Sequence, residues 1–150
     1  MTMKFKYRVI VAPNGSVKLR PVIPVQFIGS KDVLDTYAML DSGADVSVIS
    51  KDMAEAIGVS MDAEVIISNG VTGPGEFTPS RVNIHIEKGH EDYRFNIPVL
   101  IILKPYELPP LLGRVEVFDK FEITFKEHDR RIEMTRISPK AIPAFQKRHF

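Results

Sequence analysis

The sequence predicts an all-β fold of short strands with one or two short helices. Most of its 150 residues alternate between apolar and polar side chains with the two-residue period of β-strands. Turn-forming residues, such as Asn14-Gly15 and Gly89, separate these alternating runs. Lys51–Ile57 carries clear helix signals, because Ser50 is a suitable N-terminal cap and Gly58 a suitable stop.

Nine segments are expected to be strands, and a second helical turn is expected over 115–118. The predicted strands are 4–12, 17–28, 33–40, 46–49, 65–68, 81–87, 93–103, 121–126 and 131–137. The first two should form a hairpin around Asn14-Gly15, and 81–87 should pair with 93–103 across Gly89. The last two should form a hairpin through 128–130. Pro21 and Pro24 should confine the second strand to an edge or a bulge, because proline has no N–H to donate.

Composition restricts the classes of partner and chemistry. The chain has 20 Lys and Arg against 19 Asp and Glu, a net charge of +1, which gives no electrostatic argument for a nucleic-acid or membrane partner. Cysteine is absent, which excludes a disulfide, a thiolate nucleophile and a Cys-ligated zinc. The first residues lack the apolar run of a signal peptide, so we expect one cytoplasmic domain over 1–150.

The histidines do not suggest a metal site. His85, His90, His128 and His149 are scattered along the chain, and solvated side chains are the expected interpretation. No nucleophile elbow, phosphate loop or dinucleotide fingerprint is present in the sequence. We therefore expect neither a metal nor a cofactor.

A carboxylate at the end of an apolar strand is the most informative feature. The segment 38–40 is apolar and leads directly into Asp41-Ser42-Gly43-Ala44. A carboxylate at the end of a buried strand is costly unless hydrogen bonds satisfy it. The segment could still be an ordinary Asx turn between two strands, because Asp-Ser-Gly alone is common.

Two further segments, in a fixed order, make the pattern more specific. A glycine-rich stretch containing Gly70, Gly73 and Gly75 follows Asp41. The segment Leu111-Leu112-Gly113-Arg114 comes later still, about seventy residues after Asp41. In these three segments the sequence resembles the retropepsins, the single-domain aspartic proteases of retroviruses and their cellular relatives. The resemblance covers about 33–125 and leaves an additional N-terminal hairpin and C-terminal tail. It implies a closed acid-protease barrel that acts as a homodimer.

The resemblance also implies roles for the loop residues that match the family motif. Asp41 resembles the catalytic aspartate, and Ser42 the hydroxyl that hydrogen-bonds across the dimer. Gly43 resembles the residue whose carbonyl receives the substrate backbone, and Ala44 completes the motif. Val46 departs from some retroviral members, which have an acid there, so a less polar subsite is expected.

An ion pair and a flap are implied in the same way. Asp45 is expected to pair with Arg114, because arginine stays charged and can bind a carboxylate in two places. Gly70, Gly73 and Gly75 are expected to belong to a flap hairpin that closes over substrate. We expect this flap and the loop 104–110 to influence specificity.

The implied chemistry requires two copies of the chain. Aspartic proteases use two carboxylates facing one water, which share a proton because like charges so close do not both ionise. The chain has one Asp-(Ser/Thr)-Gly motif, so the second Asp41 must come from a symmetric partner. The expected partners are thus a second copy and a peptide or protein substrate. Two alternatives stay open: a non-catalytic binding or dimerisation module with the retropepsin fold, and an unrelated β-barrel ligand binder with a chance motif.

Overall fold

The computed structural model describes residues 1–70 and 73–138. Within those residues it contains twelve strands and one α-helix. In chain order they are β1 Thr2–Lys6, β2 Arg8–Val11, β3 Val17–Arg20, β4 Val22–Ile28, β5 Val33–Leu40, β6 Ser47–Ser50, α1 Lys51–Ile57, β7 Ile66–Gly70, β8 Gly73–Lys88, β9 Glu91–Ile102, β10 Leu111–Leu112, β11 Phe121–Lys126 and β12 Arg131–Arg136. The prediction of a β-rich fold with little helix is confirmed.

The strands form three sheets. The largest has seven strands in the order β4-β5-β10-β6-β9-β8-β7, and β4 also pairs with β8 over Gln26–Ile28. This additional pairing curls the sheet on itself without making a formally closed barrel. A second sheet has the order β1-β12-β11, and β2 and β3 form a two-stranded sheet of their own.

The interior consists of a main apolar core and a small cluster near β10. Helix α1 packs on the main core with its buried residues Met53, Ala54 and Ile57. The small cluster contains Val48, Phe77, Ile102 and Leu111, all of them buried. Because β10 passes between β5 and β6, this cluster lies beneath the ends of the strands that carry the candidate site.

Helix α1 begins and ends where the sequence predicts. The Ser50 Oγ accepts a hydrogen bond from the Met53 N–H at 3.1 Å, which caps the N-terminus. At the other end Gly58 has φ of 79°, in the left-handed region that favours glycine. A Cβ at Gly58 would also lie 2.6 Å from the Ser30 Oγ.

The first predicted hairpin is wrong in its extent. The turn at Asn14-Gly15 is present, but the long strands predicted around it are each split into two, at Tyr7 and at Pro21. The Tyr7 N–H donates to the Arg130 carbonyl at 2.8 Å, which directs β1 toward β12. The Pro21 carbonyl accepts from the Leu40 N–H at 3.0 Å, which directs β4 toward β5.

Most of the other strand predictions agree with the structure, but β8 begins at Gly73, eight residues before the predicted segment 81–87, and the short strand β10 was not predicted. Segment 33–40 is β5 with the same bounds, and the hairpins β8–β9 and β11–β12 are present. Pro24 pairs with Tyr37 of β5 only, because the pairing of β4 with β8 starts at Gln26. The proline therefore occupies the part of β4 that needs no second donor.

The end of the chain contains one correction. The predicted helical turn over 115–118 is a kinked turn, in which Glu116 has φ of 69°. The predicted tail from 139 onward lies outside the described residues. In the part of the chain that the structure describes, no helix is long and apolar enough to cross a membrane.

Candidate active site

Asp41 directly follows β5, and β10 fixes its position. Leu40 is buried and pairs in parallel with Leu112. The Asp41 N–H then donates to the Leu112 carbonyl at 3.0 Å. The chain therefore leaves the sheet at Asp41, with the residue before it in the core and the carboxylate at the surface of the sheet edge.

The loop after Asp41 closes on the carboxylate itself. The Gly43 N–H donates to the Asp41 Oδ1 at 2.9 Å, and the Ala44 N–H donates to the Asp41 carbonyl at 3.2 Å. Ala44 is buried, whereas Ser42 and Gly43 are exposed. Among the described residues, the bond from Gly43 is the one side-chain hydrogen bond of Asp41. The carboxylate is thus oriented by the backbone of its own loop.

Backbone hydrogen bonds join this loop to the segment after β10. The Arg114 N–H donates to the Ala44 carbonyl and the Val115 N–H to the Asp45 carbonyl, both at 2.9 Å. The Gly113 N–H donates to the buried Ser47 Oγ at 3.0 Å. These bonds hold the two sequence motifs, seventy residues apart, against each other.

Gly113 is required by the close approach of the two segments. A Cβ at this position would lie 2.7 Å from the Val46 carbonyl carbon and 2.9 Å from the Ala44 oxygen. Both are backbone atoms rather than ends of flexible side chains, and the Ala44 oxygen already accepts the Arg114 N–H. Any larger residue would push the Asp41 loop away from β10.

The structure brings Asp45 and Arg114 together as an ion pair between the Asp45 Oδ1 and the Arg114 Nη2. Both side chains are largely exposed, at 76% and 57% respectively. An ion pair this exposed contributes little stability. Its main effect is to orient two side chains beside the Asp41 loop.

Two hollows flank the Asp41 loop. The larger has a volume of about 540 Å³, and its lining includes Gly43, Ala44, Asp45, Val46, Val48, Ser68, Asn69, Phe77, Leu100 and Leu111. The smaller has a volume of about 330 Å³, and its lining includes Met39, Asp41, Lys104, Pro105, Tyr106, Glu107, Leu108 and Leu111. Leu111 lines both, so the two hollows adjoin the same buried strand, β10. Apolar walls with a few polar groups are typical of binding sites.

The predicted flap contributes to the larger hollow. β7 and β8 form a hairpin in which Gly70 pairs with Gly73, and Gly75 pairs with Ser68. Ser68 and Asn69 line the hollow. The tip residues 71–72 lie outside the described residues.

Tyr106 lies beside Asp41, and sequence reasoning did not identify it individually. Its hydroxyl donates to the Pro109 carbonyl at 3.0 Å, within the loop 104–110 that was expected to influence specificity. Burial, together with the negative charge of Asp41, raises the pKa of Tyr106 from 10.0 to about 12. The phenol is therefore protonated, and a neutral hydrogen-bond donor, at acidic and neutral pH.

One histidine differs from the sequence prediction. His90 and His128 are exposed as predicted, but His85 is buried, so the expectation of a solvated side chain is wrong there. Its Nε2 lies 3.0 Å from the Asp92 Oδ1 and 3.8 Å from the Glu87 Oε2. One ligand atom from each of these three residues lies within 4.8 Å of the others. The pairing of β8 with β9 creates this cluster, which no local spacing in the sequence reveals.

Comparison with known proteins identifies the family of this arrangement. The family model described as aspartyl protease matches residues 23–114, which include the Asp41 loop and Gly113-Arg114. A search of curated proteins gave no match.

Three solved structures align with this chain. A retropepsin-like aspartic protease from Rickettsia conorii aligns with a TM-score of 0.56 at 13% identity, over 89% of this chain and 98% of that one. The EIAV protease, solved with the inhibitor HBY-793, aligns with a TM-score of 0.48 at 23% identity, over 67% and 86%. The retroviral protease-like domain of Ddi1 from Leishmania major aligns with 0.47 at 15%, over 79% and 94%. The alignment to the Rickettsia protein confirms the retropepsin-like fold that the sequence predicts.

Proposed function

Because the chain belongs to the aspartyl protease family, we propose that two copies form an aspartic endopeptidase that cleaves peptide bonds with a water held between their Asp41 carboxylates. The observation that carries the proposal is the position of Asp41. Its Oδ1 is held by the Gly43 N–H, and the residue lines an open hollow beside a second hollow. The loop thus presents an oriented carboxylate at a site with room for a peptide.

The chemistry needs a second carboxylate, which the proposal takes from a partner copy. The sequence contains one Asp-(Ser/Thr)-Gly motif. In a symmetric dimer with its axis beside Asp41, the two loops face each other and each supplies one carboxylate. Two such groups share a proton and titrate as a pair.

The two protonation states divide the work of catalysis. The ionised Asp41 takes a proton from the water as the water oxygen attacks the peptide carbonyl carbon. The protonated Asp41 donates a hydrogen bond to the developing oxyanion. A proton then passes to the peptide nitrogen, and the carbon–nitrogen bond breaks. The proposed series of steps uses no cofactor.

The walls of the hollows support a peptide as substrate. Val46, Val48 and Leu111 provide apolar surface next to the loop, and Ser68 and Asn69 provide polar groups from the flap hairpin. An extended peptide presents side chains alternately to its two sides, which suits two hollows separated by a carboxylate.

An Asp41→Asn variant tests the catalytic part. It removes the proton acceptor while keeping the shape of the side chain, so peptide cleavage should fall by at least about 10³-fold. The matched control is Asp35→Asn, the same change at an exposed position on β5, the strand that leads to Asp41, which should leave cleavage unchanged. Equal cleavage by wild type and Asp41→Asn would refute the mechanism.

A mixing experiment tests the shared site. Wild type with an excess of Asp41→Asn should form hybrid dimers that have one ionisable Asp41, so activity should fall well below that of wild type at the same concentration. Activity that depends only on the amount of wild type added would mean that each chain acts alone. A binding module without catalysis would bind peptide but show no cleavage in either experiment.

A further inference from the structure

The hairpin formed by β2 and β3 has an apolar face that nothing in the described chain covers. Val9 pairs with Leu19, and Val11 with Val17, which places all four side chains on one face. Their exposed fractions are 56%, 46%, 63% and 60% in that order. We call these four residues the hairpin's apolar face.

The opposite face of the hairpin is chemically different. Arg8 pairs with Arg20, and Ile10 with Lys18, so three of its four residues are cationic. A two-stranded hairpin that forms its own sheet is barely stable in water. A charged face suits water, whereas two exposed apolar cross-strand pairs lose the burial that would stabilise them. We therefore expect the charged face to lie against water and the apolar face to lie against another surface.

The base of the hairpin adjoins the strand that carries Asp41. β3 ends at Arg20, and the next residue, Pro21, accepts a hydrogen bond from the Leu40 N–H at 3.0 Å. The Arg8 guanidinium lies 5.2 Å from the ring centroid of Tyr37, on the same strand. The hairpin thus emerges from the end of the molecule where β5 delivers the catalytic loop.

We propose that the hairpin's apolar face packs against a second copy of this chain and forms part of the dimer interface that completes the active site. This inference rests on the proposed function, because the single Asp41 motif is what requires a second copy. A two-fold axis beside Asp41 brings the partner close to whatever projects from that end of the chain. The hairpin is anchored there, and its apolar face would gain stability from being covered.

Two neighbouring positions on β3 provide a matched test. Val17→Glu puts a charge on the apolar face, and Lys18→Glu puts the same side chain on the opposite face. In sedimentation equilibrium, Val17→Glu should weaken dimerisation at least tenfold, whereas Lys18→Glu should stay close to wild type. A milder pair of changes, Val11→Thr with Val17→Thr, keeps residues favourable to strands, so the hairpin folds while its apolar surface is reduced.

The absence of cysteine allows a second measurement. Single Val17→Cys and Lys18→Cys variants each have one thiol, whose alkylation rate reports access to solvent. As protein concentration rises through the dimer range, the thiol at 17 should become protected at least several-fold, and the thiol at 18 should stay reactive. This comparison needs no destabilising substitution.

The outcomes separate this inference from the proposed function. If Val17→Glu dimerises like wild type and its thiol counterpart is never protected, the hairpin is not the interface, while the protease proposal stands. If Val17→Glu is monomeric yet cleaves peptide as well as wild type, the shared active site itself is refuted. If protection at position 17 needs added lipid vesicles or another protein rather than a second copy, the inference is also overturned.

Discussion

The Asp41 loop and the β2–β3 hairpin lie near each other but differ in how far contacts within one chain stabilise them. In the loop, the N–H groups of Gly43 and Ala44 bond within the loop, and that of Gly113 bonds to Ser47. In the hairpin, the backbone pairing is complete but the apolar side chains remain open to water. The described part of one chain therefore fixes the Asp41 loop by its own hydrogen bonds but leaves the apolar surface of the hairpin uncovered.

This difference can be measured by comparing the free energy of unfolding at several protein concentrations. Substitutions that disturb the loop should lower the free energy of unfolding even for an isolated chain, because the contacts they remove are within one chain. Substitutions on the hairpin's apolar face should lower it only at concentrations where two copies associate. The following changes test the loop side of this contrast, beginning with the largest expected effect.

Gly113→Ala should have the largest effect. The new methyl group would lie 2.7 to 2.9 Å from backbone atoms of Ala44 and Val46, so the loop must move. We expect a loss of about 3 kcal/mol in the free energy of unfolding, at any protein concentration, measured by urea denaturation. Peptide cleavage should fall at least about 100-fold, because small displacements of reacting groups are costly.

Gly75→Ala is the control for this change in the stability measurement. Its added Cβ would meet atoms no closer than 3.6 Å, which is ordinary contact. The two variants should therefore differ in stability by more than about 2 kcal/mol. Similar stabilities would show that the loop has more room than its backbone contacts indicate.

Ser47→Ala should have the next largest effect. Ser47 is fully buried, and its Oγ accepts the Gly113 N–H at 3.0 Å, so removal of the hydroxyl leaves a buried donor without a partner. The expected loss is about 2 kcal/mol in the free energy of unfolding. Ser16→Ala, at an exposed position, should cost less than about 0.5 kcal/mol. A negligible effect at Ser47 would mean that water replaces the hydroxyl and that the loop is less tightly built.

Sequence reasoning succeeded where the signals are local and failed where they depend on pairing. Helix α1 follows from Ser50 and Gly58, and β5 from its alternation, so both were predicted with the correct bounds. The split of the first hairpin was missed because Tyr7 bonds to Arg130, more than a hundred residues away. No periodicity within 4–12 contains that information.

The candidate site divides in the same way. The residues of the Asp41 loop and Arg114 could be named from motifs, because backbone requirements impose short patterns such as Gly113 between two hydrophobics and an arginine. Ser47 and Tyr106 could not, because one serine and one tyrosine look ordinary until β10 and the loop 104–110 bring them to the site. The burial of His85 has the same cause, since its surroundings come from β4 and β9.

Tyr106→Phe should give a smaller effect that depends on pH. The pKa of Tyr106 is raised from 10.0 to about 12 in the folded protein, by burial and by Asp41. The folded state therefore keeps its proton when the unfolded state begins to lose it, and stability from this group is complete below pH 10 and declines between pH 10 and 12. Near neutral pH, the free energy of unfolding of wild type should exceed that of Tyr106→Phe by on the order of 1 kcal/mol, with partial exposure taken into account. Part of this difference comes from the hydrogen bond to the Pro109 carbonyl, which phenylalanine cannot make.

Denaturation of both proteins from pH 8 to 11 measures this difference. The advantage of wild type should shrink as the pH rises above 10. Asp41→Asn removes one of the two causes that raise the pKa of Tyr106, so in that background the decline should end at a lower pH than in wild type. An advantage that grows with pH would contradict the assigned direction of the shift.

Asp45→Asn should have the smallest effect on stability, although it breaks the ion pair predicted from the sequence. The pair is largely exposed, and the backbone bonds from Arg114 to Ala44 and from Val115 to Asp45 remain when the charge is removed. We expect a loss below about 1 kcal/mol, which should decrease further in 1 M salt because exposed charges are screened. A double-mutant cycle with Arg114→Gln isolates the pair from other effects of each change. A coupling well above 1 kcal/mol would mean that the side-chain ion pair, rather than the backbone, holds the Asp41 loop against β10.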